Sequence, residues 1–265
     1  MLTRILLGVI FGLLVSACST MPASAPTTDP VVVDKNFVID HVKRKFELTP
    51  AVTEVKIINQ WGDVHLKSMD AGSVGIYAIV QRIGKGAVAP EFDFRIDGRT
   101  ARLEVRYPTG QAPGTSGRVD LAVYLPALAD IDVTTDGGLI RGLELSANLT
   151  ATSRSGKILA SSSGRLQLKT QAGDIRATQI SGTWSGDMSL ISSTGHIALL
   201  IPPDSNVRLD VRGGLGVIDD FSAKVHVLER SRTRLLGELG ESAKKRPIMV
   251  QSQGEVIVRP FYLLE

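Results

Sequence analysis

A tripeptide of the form Gly-x-Ile or Gly-x-Val recurs along this 265-residue chain and constrains its fold more than any other feature. Each copy follows a short apolar-x-apolar segment and a few small or polar residues. From Gly138 the intervals between successive copies are 18, 17, 22, 21 and 38 residues. A period near twenty with one double-length gap is typical of a solenoid, in which each unit buries its apolar face only by stacking on the next. The glycines of the repeat are Gly62, Gly138, Gly156, Gly173, Gly195, Gly216 and Gly254.

We interpret these seven glycines as structural corner residues. A residue without Cβ adopts positive φ cheaply, so a sharp turn with positive φ is predicted at Gly173. The Ile or Val two positions later should point inward and stack on its counterpart about 4.8 Å away. Lys157, Asp174 and His196 then form one outward column of neighbouring coils, unless the unequal spacings displace them into three unrelated groups. Thr, Ser and Gln are expected at outward corner positions.

The rest of the chain from about Asn36 shows alternating apolar and polar residues and almost no helical period, as in Val119–Val123. This pattern predicts half-buried strands and an all-β fold. The predicted architecture is a single-stranded β-solenoid, a right-handed β-helix, with an N-terminal β-cap. The alternative is a β-sandwich, which also has turns every 8–12 residues.

Two regions depart from the repeat. Residues Arg82–Pro113 contain two predicted strands around Asp97-Gly98 and a Gly/Pro-rich loop, and are expected to form the cap. Residues Leu228–Pro247 fill the double-length gap and are rich in Arg, Lys and Glu. We expect a solvated loop or short helix there, with a basic patch near anionic lipid or polysaccharide as the alternative.

The N-terminus, Met1–Cys18, has one basic residue, an apolar run of about eleven residues and then small residues. The run is too short to span a bilayer comfortably and is typical of a signal peptide. The tetrad Val15–Cys18 resembles the lipobox of bacterial lipoproteins, which implies a lipid-attached, acylated Cys18 (diacylglycerol and palmitate-type chains) and a membrane anchor. Ser19, which is not aspartate, implies sorting to the outer membrane. The alternative is an ordinary signal peptide with a chance cysteine.

These features divide the chain into three segments. Residues 1–17 are the predicted signal peptide, and residues 37–265 form the predicted solenoid domain. Between them, 18–36 is small, polar and proline-rich, which predicts a lipidated flexible tether.

Composition excludes several functional classes. One cysteine rules out an intrachain disulfide and a multi-cysteine metal site, and a net charge of +3 gives no support for a nucleic-acid partner. The four histidines show no ligand spacing, and nucleophile-elbow, phosphate-loop and zinc-protease motifs are missing from the sequence. We therefore predict no cofactor and no metal. The histidines are His41, His65, His196 and His226.

Residues Val55–Phe221 resemble the bacterial putative-adhesin family, an envelope domain of unknown function. The resemblance rests on Val55–Asn59, on the strand Val119–Pro126 ending in Leu-Pro, on successive Thr/Ser-x-x-Gly-x-Ile corners, and on Ile197–Pro202. It implies a β-solenoid and transfers no catalytic residue.

Two functions remain open from the sequence. The first is a non-enzymatic, lipid-anchored envelope protein that presents a rigid surface for adhesion, with a polysaccharide or envelope protein as partner. The second is a polysaccharide-modifying enzyme with outward charged residues on a groove. Trp61 and Trp184 are either sugar platforms or structural residues. The charged candidates for the enzyme are Asp63, Asp174, Asp187, Arg176 and Lys169.

Overall fold

The structure is a computed structural model that describes residues 37–69, 72–84, 87–108, 117–219, 221 and 224–262. The described residues form 21 β-strands and no α-helix, so the all-β prediction is confirmed. The predicted signal peptide, Cys18 and the tether lie outside the described residues.

The strands alternate with short turns along the whole described chain. Their bounds are β1 Phe37–Glu47, β2 Glu54–Asn59, β3 Val64–Met69, β4 Ser73–Ile83, β5 Glu91–Asp97, β6 Thr100–Arg106, β7 Gly117–Pro126, β8 Asp130–Thr135, β9 Ile140–Leu145, β10 Leu149–Ser153, β11 Ile158–Ser162, β12 Leu166–Thr170, β13 Ile175–Gln179, β14 Met188–Ser192, β15 Ile197–Ile201, β16 Val207–Gly213, β17 Gly216–Asp219, β18 Val225–Arg230, β19 Arg234–Leu239, β20 Arg246–Ser252 and β21 Glu255–Pro260.

The strands form two large mixed sheets in a sandwich-like arrangement. Sheet I has the order β1-β4-β7-β3-β9-β11-β13-β15-β21-β17, and sheet II the order β18-β19-β16-β20-β14-β12-β10-β8-β2-β6-β5. From β8 to β15 consecutive strands alternate between the sheets, and neighbouring strands within each sheet are parallel. Each repeat therefore supplies one strand to each sheet.

The core lies between the two sheets because alternate residues of each strand point inward. Strands β10, β11, β14 and β15 share the same alternation of buried and half-buried positions. Ile158, Ile175 and Ile197 are paired across three adjacent strands of sheet I and are each at most 1% exposed. The predicted stacking of the inward Ile of successive Gly-x-Ile units is confirmed.

Antiparallel strands close the N-terminal end of both sheets. The two strands predicted around Asp97-Gly98 are present as the β5–β6 hairpin, and β5 is the edge of sheet II. In sheet I, β1 and β4 pair antiparallel at the opposite edge from β17. The rings of Phe46 in β1 and Phe94 in β5 stack with centroids 4.1 Å apart, which joins the edge strands of the two sheets.

The C-terminal end corrects two sequence predictions. Residues Leu228–Pro247 are neither a loop nor a helix: most of them belong to the antiparallel β18–β19 hairpin and the start of β20, because Leu235 and Leu239 alternate inward. We call a strand of sheet II together with the sheet I strand that follows it a coil. The order of the coils in space differs from their order in the chain, since β20 and β21 lie between β14/β15 and β16/β17. The coil of Gly254 therefore separates those of Gly195 and Gly216.

Candidate binding face

The corner glycines lie where the chain passes from sheet II to sheet I, and all except Gly216 lie close to the backbone of a neighbouring strand or corner. A Cβ at Gly173 would overlap the carbonyl oxygen of Gly156, and a Cβ at Gly195 would overlap that of Gly173. Gly62 and Gly138 have φ of 119° and 125°, whereas Gly173 lies outside the positive-φ region, so that part of the prediction was wrong. Close backbone approach between coils is what requires glycine at position 173. Corresponding overlaps exist at Gly62, Gly138, Gly156 and Gly254, but not at Gly216.

Buried hydroxyl groups hold these corners together, a feature that the sequence analysis missed. The Ser192 hydroxyl donates to the Gly173 carbonyl at 2.8 Å and accepts from the Gly195 amide at 2.9 Å. Thr170 donates to the Gly156 carbonyl at 3.1 Å. These Ser and Thr side chains point inward, not outward as predicted, because the closely packed corners leave backbone groups that need partners. The sequence signal for these buried hydroxyl groups was the Ser or Thr that lies three residues before most of the corner glycines. The buried members of the row are Asn59, Thr135, Ser153, Thr170, Ser192 and Ser252.

The predicted column of charged residues is confirmed on the outside of the same corners. Lys157 Nζ lies 3.3 Å from Asp174 Oδ2, and the His196 amide donates to Asp174 Oδ1 at 3.0 Å. The hydrogen bond from the His196 backbone amide and the nearby charge of Lys157 lower the pKa of Asp174. The Glu255 amide in turn donates to His196 Nδ1 at 3.1 Å. Asp174 and His196 therefore satisfy backbone amides of adjacent coils.

The candidate acids for an enzyme do not form a catalytic pair. Asp63 accepts a hydrogen bond from the Leu139 amide at 2.9 Å and lies 3.0 Å from Arg118, so it is a second aspartate in the same column as Asp174. Three strand spacings, about 14 Å, separate Asp63 from Asp174, more than the roughly 5–9.5 Å of glycosidase carboxylates. Lys169 lies in β12 of sheet II and Asp187 directly before β14, on the sheet opposite to Arg176.

The aromatic and histidine candidates have structural contacts. Trp184 is 8% exposed, with Arg246 5.5 Å from its ring centroid, so it is not an exposed sugar platform. Trp61 is half-buried and lines a cleft of about 330 Å³ beside Arg118, directly after the undescribed residues 109–116. His41 shares a 2.8 Å hydrogen bond with the Tyr77 hydroxyl. Within the described ranges, no cluster of His, Cys, Asp or Glu has the arrangement of a metal site.

The outer faces of the two sheets differ in how their cations are paired. On sheet II, most strand cations have a carboxylate partner: Lys56 with Asp132 at 2.9 Å, Arg102 with Glu104 at 3.1 Å, Arg106 with Asp93 at 2.6 Å, Arg212 with Asp210 at 3.1 Å and Arg234 with Glu229 at 2.8 Å. On sheet I, the exposed side chains of Arg141 and Arg176 have no ion pair or hydrogen bond to any described residue. The middle strands of sheet I thus present two guanidinium groups without a carboxylate partner in the described part of the chain, those of Arg141 and Arg176.

Arg141 and Arg176 belong to one row across three neighbouring strands. Arg141 pairs with Leu159, and Leu159 pairs with Arg176, so the leucine lies between the two cations. A β-bulge interrupts the register between β9 and β11, and Glu144 there has φ of 56° and donates its amide to Ser161 Oγ at 2.7 Å. The extra residue bends β9 and re-aims its side chains.

The row and the bulge enclose a groove of about 550 Å³ on the outside of sheet I, which we call the sheet I groove. It is lined by Arg141, Leu143, Leu159, Arg176, Ile180 and Phe261 among others. Leu143 is 41% exposed, and Glu144 is a carboxylate at the rim. Ligand sites of this size combine an apolar lining with a few polar groups, as this groove does.

The comparisons with known proteins concern the fold. No protein-family model matches the sequence, and no curated protein matches it. A solved structure described as a putative cell adhesion protein from Clostridium sporogenes is similar over 84% of this chain and 99% of its own, with 10% identity and a TM-score of 0.50. The chain therefore shares its fold with a solved structure described as a putative cell adhesion protein, and the resemblance expected from the sequence is confirmed.

Two further solved structures are more distant. A putative adhesin from Bacteroides fragilis has a TM-score of 0.32 with 10% identity, over 84% of this chain and 97% of that one. A putative lipid binding protein from Parabacteroides distasonis has a TM-score of 0.29 with 10% identity, over 84% and 98%. At these scores neither likeness carries an argument for this chain.

Within the described part of the chain, no helix has the length and apolarity needed to cross a bilayer.

Proposed function

We propose that this chain is a non-enzymatic, lipid-anchored protein of the bacterial cell envelope that binds another envelope component through the outer face of sheet I. The observation that supports it best is the pair of exposed cations, Arg141 and Arg176, which lie in one row across sheet I and have no partner among the described residues. Surface cations without partners remain available to a ligand.

The two sheets are proposed to be the two faces of one flattened, right-handed β-solenoid. The strands from β8 to β15 return to the same sheet in parallel at every second step. Connections of this kind between parallel strands are right-handed in nearly all proteins. Such a scaffold holds an outer face rigidly, which suits adhesion, the role given in the description of the similar Clostridium structure.

The membrane attachment rests on the Val15–Cys18 tetrad and on Ser19. Several acyl chains on Cys18 give near-permanent anchoring, and residues 18–36 form the tether, with the outer membrane as the location. The competing polysaccharide-modifying enzyme needs a carboxylate pair at a groove, and Asp63 and Asp174 are instead bound to backbone amides of neighbouring coils.

The attachment is tested by expressing the full chain in a bacterium with an outer membrane. Labelled palmitate should be incorporated, and the protein should fractionate with the outer membrane. Cys18→Ser should abolish the label, whereas Ser19→Ala should keep both label and location. Undiminished label on Cys18→Ser would refute the anchor.

The binding role is tested separately with purified full chain and isolated envelope fractions, namely sacculi and outer-membrane vesicles. Arg141→Gln combined with Arg176→Gln should reduce binding, and Lys169→Gln on sheet II should leave it unchanged. Equal binding by both variants would refute the use of the sheet I face.

A further inference from the structure

The sheet I groove combines a cationic and an apolar feature. It has unpaired guanidinium groups at Arg141 and Arg176, and between and beside them the apolar side chains of Leu159, Ile180 and Phe261. A site that binds only an inorganic anion does not need an apolar lining. A site for a neutral apolar molecule would not place exposed arginines along it.

We propose that the sheet I groove binds an acidic phospholipid, with the phosphate held by Arg141 and Arg176 and part of an acyl chain lying along Leu159, Ile180 and Phe261. The planar guanidinium fork matches phosphate oxygens in a bidentate manner. The two Cα atoms are two strand spacings apart, about 9.6 Å, so both long side chains can turn toward one headgroup. The charges are complementary, because nothing described neutralises either arginine.

The occupant follows from the proposed function, on which this inference rests. A tether of 19 residues extends to at most about 60 Å, so the groove of an anchored chain stays within reach of the bilayer surface. A membrane lipid is then the amphiphile present at the highest local concentration. Sheet II gives the contrast, since the middle of its outer face has the polar side chains of Thr150, Thr152 and Gln167 where sheet I has the apolar side chain of Leu159.

Glu144 provides an internal check on the charge argument. It is the carboxylate at the groove rim, placed there by the bulge in β9, and it has no side-chain partner among the described residues. A bound phosphate should be repelled by Glu144, so its removal should strengthen binding. A merely structural role for Arg141 and Arg176 gives no such expectation.

The experiment uses the full lipidated chain in phosphatidylcholine nanodiscs doped with a photoactivatable phosphatidylglycerol. After illumination, mass spectrometry locates the adducts. We expect them on the peptides of β9, β11 and β13, and we expect Arg141→Gln with Arg176→Gln to lower the yield about tenfold, because two charge-assisted contacts are lost. Glu144→Gln should raise the yield, and Lys169→Gln should leave it unchanged. Melting temperatures of all variants should match, which separates ligand loss from unfolding.

Further probes separate the alternatives. Photoactivatable phosphatidylcholine and a photoactivatable fatty acid should label the groove weakly, and Leu159→Asn should weaken labelling by phosphatidylglycerol. Equal labelling by phosphatidylcholine or the fatty acid, or labelling unaffected by the double arginine change, would overturn the proposal. Labelling confined to sheet II would do so as well. If the double variant loses envelope binding while phosphatidylglycerol never labels the groove, the binding role stands and only the ligand class fails. Loss of Cys18 anchoring would lower groove labelling only by lowering the local lipid concentration, so a higher nanodisc concentration would restore it.

Discussion

The Ser192 hydroxyl donates a 2.8 Å hydrogen bond to the carbonyl of Gly173 in the neighbouring coil. The same oxygen accepts the Gly195 amide of its own coil, so one buried side chain joins two layers of the structure. Hydroxyl rows of this kind supply backbone partners at corners where glycine lets two coils approach closely.

Ser192→Ala should therefore lower the free energy of unfolding by about 1–3 kcal/mol, because it leaves a buried carbonyl and amide without a partner. The adjacent Ser193, which is exposed, provides the control, and Ser193→Ala should be close to neutral. Urea unfolding measures both. Identical midpoints for the two variants would contradict a structural role for the hydroxyl.

Gly173→Ala tests the close approach of coils. The new Cβ would overlap the Gly156 carbonyl, and relief of the overlap should cost about 2–3 kcal/mol. At Gly182 a Cβ would meet its nearest atom, Asp204 Oδ1, at 3.7 Å, an ordinary contact, so Gly182→Ala should leave stability unchanged or slightly higher. Thermal unfolding of both variants decides the matter, and a neutral Gly173→Ala would show that the coils can separate freely.

Asp174→Asn should reduce stability in a pH-dependent way. The pKa of Asp174 is lowered in the folded state by the His196 amide and by Lys157, so its contribution is present above the unfolded value near 3.9 and is lost as the pH falls through the folded pKa. The side chain is 44% exposed, and solvent screening keeps the effect below about 1 kcal/mol.

The measurement compares unfolding of wild type and Asp174→Asn at pH 7 and at pH 3. The difference in the free energy of unfolding should shrink at the lower pH and with added salt, while the side-chain oxygen of the variant still accepts the hydrogen bond from the His196 amide. A difference that grows on acidification would contradict the assigned sign.

Phe94→Ala tests the junction of the two sheets at the N-terminal end. Loss of the stack on Phe46 and of the partly buried ring should cost about 2 kcal/mol. Arg95→Ala, on the exposed neighbour in the same strand, should change stability by about 0.5 kcal/mol or less. Hydrogen exchange should also show that β1 and β5 open together in the wild type and independently in Phe94→Ala, and independent opening in the wild type would argue against the junction.

The Gly-x-Ile pattern predicted the pairing of Ile158, Ile175 and Ile197 correctly, because a buried strand face leaves one register that keeps the isoleucines inside. The pattern also brought Lys157 beside Asp174. Residues 1–36, including Cys18, lie outside the described part, so those interpretations stay predictions.

The sheet I groove could not be predicted in this way. It depends on a single extra residue in β9, which appears in the sequence only as an interval of 18 residues where the next is 17. The ion pair of Lys56 with Asp132 was also hidden, because the two residues are 76 positions apart and meet only when β2 and β8 pair. The order of the last coils depends on which strands β20 and β21 pair with. The alternation of apolar and polar residues in β20 and β21 is the same for any of these partners, so it does not predict the order.

The position of β20 and β21 between earlier strands has a consequence for synthesis on the ribosome. The coil formed by β16 and β17 has no parallel neighbour until residues 246–260 have emerged, since its parallel partners are β20 and β21. Strands β8 to β15 can add one after another as they are made, but the distal end closes only after β20 and β21 have been made. Strands β20 and β21 therefore join the coil of β16 and β17 to the coil of β14 and β15, and deletion of residues 246–265 would remove this connecting layer.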